Sequence, residues 1–417
     1  MVSRTTTNYL TLLAIIFAGE IIFSLPFHIT RFFRPTFLEV FNLSNTQLGD
    51  IFAVYGIVAM LAYFPGGVIA DHFSARKLIV FSLITTALGG FYLYTLPDQK
   101  SLFFLFGFFG LTSILLFWAA IIKATREWGG HGSQGIAFGL LDGGRGLVAS
   151  IAASVGVLIF SLTVETELDE PSLLKQGLQS VILYYSFLTL LAALFVWLLV
   201  EEPSNDKASF SQLPNDLSQV IRTPTVWLQG AIIVAAYCGY KALDNYGIYA
   251  VEVLKMNQVE AAEFTALGSY LRPIAAITAG FIADRFFSSR TIAFMFAVVA
   301  VAFVVLAFIS PQNTNQLFIL ANLLITFAAV YGLRGVYFAL VEESGVTLTQ
   351  TGTVVGLVSL IGYTPDIFFA PITGRILDAA PGIEGFQHYF LLLSIISCLG
   401  IGLSVIFAKR ISLDRTE

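Results

Sequence analysis

The stretch Gly66-Gly67-Val68-Ile69-Ala70-Asp71-His72-Phe73-Ser74-Ala75-Arg76-Lys77 ends one long apolar run and begins the next. A second stretch, Gly280-Phe281-Ile282-Ala283-Asp284-Arg285-Phe286-Phe287-Ser288-Ser289-Arg290, does the same in the other half of the chain. Both read Gly-x-Ile-Ala-Asp and then Ser-x-Arg, with one residue inserted in the second copy. A weaker match pairs Gln134-Gly135-Ile136-Ala137-Phe138-Gly139 with Thr351-Gly352-Thr353-Val354-Val355-Gly356. Two matches in corresponding slots mark an internal repeat, as expected of a protein built from two related halves.

Around these loops the chain is a series of apolar runs. A bilayer-spanning helix takes about 20 mostly apolar residues, and about twelve runs qualify. They are roughly 9–31, 47–70, 78–96, 101–124, 135–164, 179–200, 226–250, 263–283, 291–309, 316–340, 352–377 and 386–408. Run length and the need to satisfy backbone groups inside lipid predict helices rather than strands. The first run contains Glu20 and lacks a cleavage site, so it reads as a span and not as a secretory signal.

Composition excludes the main alternatives. Of 417 residues, 57% are hydrophobic and only 12% charged, with a net charge of −5. A soluble domain carries about 25% charged residues. This chain cannot cover a water-facing globular surface, and it offers no basic face to a nucleic acid. Cys238 and Cys398 lie in apolar runs and read as packing residues. No Walker loop, metal-ligand spacing or hydrolase triad is present, so neither an enzyme nor a cofactor is expected.

Basic residues set the orientation. With both termini in the cytoplasm, the inner segments hold about twice as many Lys and Arg as the outer loops. The longest polar stretch, 201–225, follows the sixth run. It predicts a cytoplasmic linker between an N-terminal six-helix bundle, 1–200, and a C-terminal one, 226–417. The expected fold is an all-α membrane protein of twelve transmembrane helices in two pseudo-symmetric bundles.

The segment 66–77 resembles the loop between the second and third helices of the major facilitator superfamily. The resemblance extends over the whole chain, through the twelve runs, the linker and the second loop copy. It implies two bundles that rock around a central cavity. The family's usual glycine after Asp-Arg is replaced by Ser74 and Ser288 nearby. Asp71 and Arg76, with Asp284 and Arg290 in the repeat, are the expected gating residues. Charge pairs or helix-end contacts there would form only when the cytoplasmic side is shut. The plain alternative is a cluster that only sets topology.

A charge in the hydrocarbon core costs about 2.5–3.5 kcal/mol on insertion scales, so each one is a functional candidate. Glu20, Asp142, Arg145, Lys241, Asp244, Arg272, Arg334 and Asp366 fall inside runs, and Arg31 near an outer edge. Asp142 and Arg145 share a helix face at i, i+3. The expectation is that Asp142 orients Arg145 toward a cavity, or that the two form a closed pair at a tight helix crossing. Lys241 and Asp244 repeat the spacing beside Tyr237 and Tyr240, an ammonium with phenol donors suited to an anionic oxygen. Their alternative is self-neutralisation. Arg272 precedes Pro273 and Asp366 follows Pro365, which suggests a pair at bending points. Glu20 is the first candidate for a proton site, as a lone buried carboxyl. Trp118 and Tyr363 are candidate cavity walls.

The stretch Ile29-Thr30-Arg31-Phe32-Phe33-Arg34-Pro35, with the later Ser44 and Leu48-Gly49, resembles the first helix of organophosphate:phosphate antiporters. That resemblance implies anion binding by Arg31; otherwise Arg31 is an interfacial residue that snorkels. Leu243-Asp244-Asn245 matches that branch's Leu-Asp-Trp, but its seventh-helix arginine has no counterpart, and Lys241 stands nearby instead.

The expected function is secondary transport of a small organic anion (phosphorylated, sulfonated or polycarboxylate) by proton symport or anion exchange. Arg31, Arg145, Lys241 and Arg272 would bind it, with Glu20, Asp142, Asp244 and Asp366 as counter-charges or proton carriers. The competing readings are an exporter of amphipathic compounds and a membrane-embedded sensor. The expected partners are the anion and the bilayer, with no nucleic acid, in a monomer of a bacterial inner membrane.

Overall fold

A computed structural model describes residues 4–129, 134–164, 171–201, 222–344 and 351–414. The acidic loop 165–170, most of the linker 201–225 and His131 with its flanking glycines lie outside the described residues. So does the side chain of Asp71, and so do the side chains that open the weaker repeat match.

Among the described residues there are helices and turns and no strand. Twelve helical stretches are long and apolar enough to cross a bilayer. Spans one to six are Tyr9–Phe32, Asn45–Tyr63, Ala75–Tyr94, Gln99–Gly129, Gly139–Ser161 and Pro171–Leu199. Spans seven to twelve are Pro224–Glu252, Gln258–Phe286, Ser288–Phe308, Gln316–Val336, Val354–Ala379 and Ile383–Ser412. Large apolar side chains stand outward along them, with Phe104 82% and Leu61 73% exposed. In water such a surface would be penalised; in lipid tails it is the matching solvent.

The repeat shows in local structure. Span two starts at a capping box, where Ser44 accepts from the Gln47 N–H and the Gln47 side chain accepts from the Ser44 N–H. Span eight, the second of its half, starts at another, formed by Asn257 and Glu260. Each box satisfies donors that a helix start leaves unpaired. At the other end of span two, Gly66 has no room for a side chain. A Cβ there would stand 2.8 Å from the Leu115 carbonyl oxygen of span four. The residue inserted in the second loop copy has a definite role. Phe287 takes a left-handed φ of 70° and turns the chain into span nine.

Two spans carry π-helical segments among the described residues. Span one breaks at Ile22–Phe23 and continues as a π-helix over Ser24–His28. Pro26 has no N–H to give to the α ladder, and the Ile29 N–H reaches back to the Ser24 carbonyl. Span four is π-helical over Leu111–Trp118, where the Ser82 hydroxyl donates to the Thr112 carbonyl at 2.6 Å.

The contacts divide the chain into two compact units. The first holds Met1–Ala208 and Lys255–Tyr270; the second holds Ser209–Leu254 and Leu271–Glu417. Span eight is therefore shared, and its first part belongs with the N-terminal helices. Hydrogen bonds explain this. The Thr36 hydroxyl donates to Gln258 Oε1 at 2.6 Å, and Gln258 Nε2 donates to Glu39 Oε2 at 2.7 Å. Ser269 donates to Ser150 Oγ at 2.9 Å. The change of unit falls at Leu271, beside Arg272 and Pro273.

Candidate functional site

In the first unit, Glu20 is the meeting point of a buried cluster. Arg145 Nε, on span five, donates to Glu20 Oε2 at 3.0 Å. His28 Nε2 lies 3.3 Å from Glu20 Oε1. Glu20 and His28 are each 4% exposed and Arg145 is 8% exposed. In an unbroken α-helix, residues 20 and 28 would stand about 12 Å apart along the axis. The turn and π-helix after Ile21 shorten that separation and bring the imidazole back over the carboxylate. Aromatic rings enclose the group. The Arg145 guanidinium lies 5.5 Å from the Phe23 ring centre and 5.7 Å from that of Trp118. The His28 ring meets Tyr185 and Phe32 edge-on, at 5.8 and 5.6 Å.

This corrects two expectations. Glu20 is not a lone carboxyl, and the acid that orients Arg145 is Glu20 rather than Asp142. The i, i+3 spacing puts Asp142 on a similar face, but the Arg145 side chain extends to span one and donates to Glu20; Asp142 is half-buried. His28 was not singled out from the sequence. The available signal was Pro26, six residues after an intramembrane acid, which forces the helix to change its ladder.

In the second unit, Lys241 is the corresponding centre. Its Nζ lies 3.1 Å from Asp244 Oδ2 and 3.5 Å from Asp366 Oδ1. Span seven changes to a 3-10 turn over Leu243–Asn245, directly after the lysine. Tyr389 holds the break from span twelve. Its hydroxyl donates to the Ala242 carbonyl at 2.7 Å and accepts from Asn245 Nδ2 at 3.2 Å. Asp366 sits in the first helical turn after Pro365, where the positive end of the helix dipole favours a carboxylate. The Tyr237 hydroxyl donates to Asp366, 3.2 and 3.1 Å from its two oxygens. Tyr237 stacks on Tyr240 at 5.6 Å and meets Tyr363 edge-on at 4.9 Å. The Arg334 guanidinium lies 4.0 Å over the Tyr240 ring.

Two more expectations change here. The pair between Asp366 and Arg272 is not formed; Lys241 and Tyr237 take that carboxylate. Nor do Lys241 and Asp244 form a closed pair, since Asp366 is a second acid on the same ammonium. Arg272 is buried, at 6% exposure, at the start of the second unit's part of span eight. Arg31 is 8% exposed in the last turn of span one, so it does not snorkel to a water-facing rim.

The two loop copies hold the expected gating residues. Arg76 lies 4.8 Å over the Trp197 ring and donates to the Val200 carbonyl at 3.5 Å. Lys123 of span four donates to the Ala70 carbonyl at 2.8 Å and so caps the end of span two. In the second copy Asp284 and Arg290 are exposed, and Arg290 lies 5.2 Å over the Phe287 ring. An acid takes the capping role there. Glu343 accepts from the Ser289 N–H at 2.8 Å and from its hydroxyl at 2.6 Å.

Known proteins share this arrangement of helices. The family model described as Major Facilitator Superfamily matches residues 13–363. The Escherichia coli (strain K12) inner membrane protein YqcE is 27% identical over 411 residues, covering 96% of this chain and 93% of that protein. Inner membrane protein YihN of the same organism is 26% identical over 409 residues, covering 96% and 95%. A probable nitrate/nitrite antiporter of Thermus thermophilus, NarK1, is 26% identical over 400 residues, covering 88% and 85%. Among solved structures, a mutant form of the nucleoside transporter NupG superposes with a TM-score of 0.75 at 13% identity, covering 96% of this chain and 99% of that one.

Proposed function

This chain belongs to the Major Facilitator Superfamily, and from that premise we propose that it moves a small organic anion across the inner membrane by alternating access. It is a multi-pass membrane transporter and not an enzyme. The anion is phosphorylated, sulfonated or a polycarboxylate, and transport is secondary, coupled to protons or to a counter-anion. The inner membrane follows from the names of two relatives, and cytoplasmic termini follow from the distribution of Lys and Arg.

Arg145 carries the reading. Its Nε is committed to Glu20, while its terminal amines make no hydrogen bond among the described residues. A guanidinium held against two aromatic rings, with its fork available, is preorganised for bidentate contact with a carboxylate, sulfonate or phosphate. Lys241, backed by phenols and two acids, gives the second half a cation of its own. A relative named as a probable nitrate/nitrite antiporter supports anion cargo and exchange. Arg31 and Arg272 are the further candidate anion contacts. Trp118, Tyr237, Tyr240 and Tyr363 supply the walls, and Asp244 and Asp366 the counter-charges. Asp71, Arg76, Asp284 and Arg290 form the inner gates.

The test is a thermal-shift screen of the purified protein against organic phosphates, sulfonates, di- and tricarboxylates and inorganic phosphate. A binder at 100 times its Kd adds about 2.7 kcal/mol of stability. A shift present in the wild type and lost in Arg145→Lys and Lys241→Ala supports the reading. Shifts produced by lipophilic compounds and by no anion would establish the exporter of amphipathic compounds in its place.

A further inference from the structure

We propose that His28 is the proton-carrying residue of this transporter, taking up one proton for each anion that binds at Arg145. The inference deepens the anion-transport reading and rests on it. It is carried by the geometry of span one, which abandons its α-helical ladder over Ser24–His28 and thereby places an imidazole 3.3 Å from an acid eight residues earlier. π-helical turns are rare and recur at functional sites. Here the distortion has one clear product, the contact between His28 and Glu20.

The charges around His28 can be named element by element. Span one itself contributes Glu20, with Arg31 one turn beyond His28. Span five contributes Arg145, through Glu20. Span six contributes Tyr185, whose ring meets the imidazole edge-on and whose hydroxyl donates to the Ala152 carbonyl at 3.4 Å. Span three approaches through Gly90, where a Cβ would stand 2.7 Å from Leu25. Thus Glu20 is the acid that both His28 and Arg145 address, one on each oxygen.

That arrangement couples the two ligands. With neutral His28, the Glu20 carboxylate and the Arg145 guanidinium cancel. An anion arriving on Arg145 adds an uncompensated negative charge in a site of low dielectric, which is strongly disfavoured. A proton from water, bound at an imidazole nitrogen, restores the balance. The imidazolium then competes for Glu20 and loosens its hold on Arg145, turning the guanidinium toward the anion. On release the anion leaves and the proton returns to water. Imidazole is suited to this because it exchanges a proton near neutral pH, whereas a guanidinium does not.

Proton uptake in weakly buffered detergent solution tests the proposal, using the full-length protein with 2-hydroxyethanesulfonate, methyl phosphate and citrate as probes. For the probe that binds, the wild type is expected to take up about one proton more per anion than His28→Gln at pH 7.5. Its Kd should weaken about tenfold per pH unit above that pH, the slope for one linked proton. His28→Gln should bind with a Kd independent of pH. A wild-type measurement covers the case in which the variant does not fold. In histidine-labelled protein, saturating probe at pH 7.5 should convert one imidazole NMR signal from the neutral to the protonated form. Wild-type uptake retained in His28→Gln would assign the proton to Glu20 and overturn the proposal. So would probe binding with no imidazole changing state. Failure of all three probes to bind the wild type would overturn the anion reading, and this inference with it. The two failures are therefore distinct.

Discussion

Arg145 of span five donates to Glu20 of span one at 3.0 Å, and Lys241 of span seven reaches Asp366 of span eleven at 3.5 Å. Spans seven and eleven are the first and fifth of the second half. Each half thus joins its first and fifth helices by an ion pair, with the signs exchanged. The acid is on the first helix in one half and on the fifth in the other. The supports are exchanged too. In the first half the cation lies beside the rings of Phe23 and Trp118. In the second half the acid takes the phenol of Tyr237, and a separate cation, Arg334, stacks on Tyr240. A repeat of backbone has become a complement of charge.

The first pair should be costly to break and inexpensive to remove entirely. Arg145→Gln leaves Glu20 without its guanidinium in a buried site and should lower stability by about 3–5 kcal/mol. Glu20→Gln with Arg145→Gln should recover most of that loss while abolishing anion binding. Thermal unfolding in detergent, with the two single variants and the double one, measures the coupling directly. A loss in the double variant equal to the sum of the two single losses would show that the pair contributes nothing as a unit.

Adjacent glycines in the first loop motif should respond in opposite directions. Gly66→Ala drives a methyl to 2.8 Å from the Leu115 carbonyl oxygen of a packed helix. Overpacking of this kind destabilises by about 1–3 kcal/mol. Gly67→Ala meets nothing within 4 Å and should gain up to about 1 kcal/mol from helix propensity. Melting temperatures of the two variants, one below and one above wild type, are the expected outcome.

Tyr237→Phe removes only the hydroxyl that Asp366 accepts from. A hydrogen bond to a charged group is worth about 1.5–3 kcal/mol, and the loss should appear both in stability and in anion uptake by proteoliposomes. Tyr240→Phe keeps the ring face under Arg334 and serves as the comparison. Similar losses in the two variants would mean that the phenol of Tyr237 has no special role.

At the second loop copy, Glu343→Ala should release the start of span nine. Two hydrogen bonds from Ser289 are lost, one from its backbone and one from its hydroxyl. Hydrogen exchange of the first turn of span nine should accelerate. The same measurement on Arg290→Ala should change little, because that residue is exposed and packs on Phe287. Acceleration in Arg290→Ala alone would transfer the role of anchor to the arginine.

The fold was legible in the sequence because each of its determinants is local. A run of about twenty apolar residues makes a span wherever it occurs, and the twelve helical spans fall on the twelve runs. The two loop copies announce the repeat in plain residue order. Phe287 was visible as an insertion, although its left-handed turn was not. The capping boxes at Ser44 and Asn257 are also written in four consecutive residues each.

The candidate site was legible only as a set of members. Residue order by itself determined that Glu20, Arg145, Lys241 and Asp366 are charges in apolar spans and need partners, because an isolated charge in lipid is disfavoured. The choice of partners belonged to the tertiary structure. Spacing favours i, i+3 neighbours: Lys241 keeps Asp244 at 3.1 Å, as that rule gives, and adds Asp366, whereas Arg145 leaves Asp142 for Glu20. The helix crossings bring span one to span five and span seven to span eleven, and a long side chain reaches across a crossing as easily as along its own turn. His28 depended on both levels. Pro26 is in the sequence, but that its missing N–H yields a π-helix, and that this turn lays an imidazole on Glu20, follows from how the surrounding helices hold the broken span.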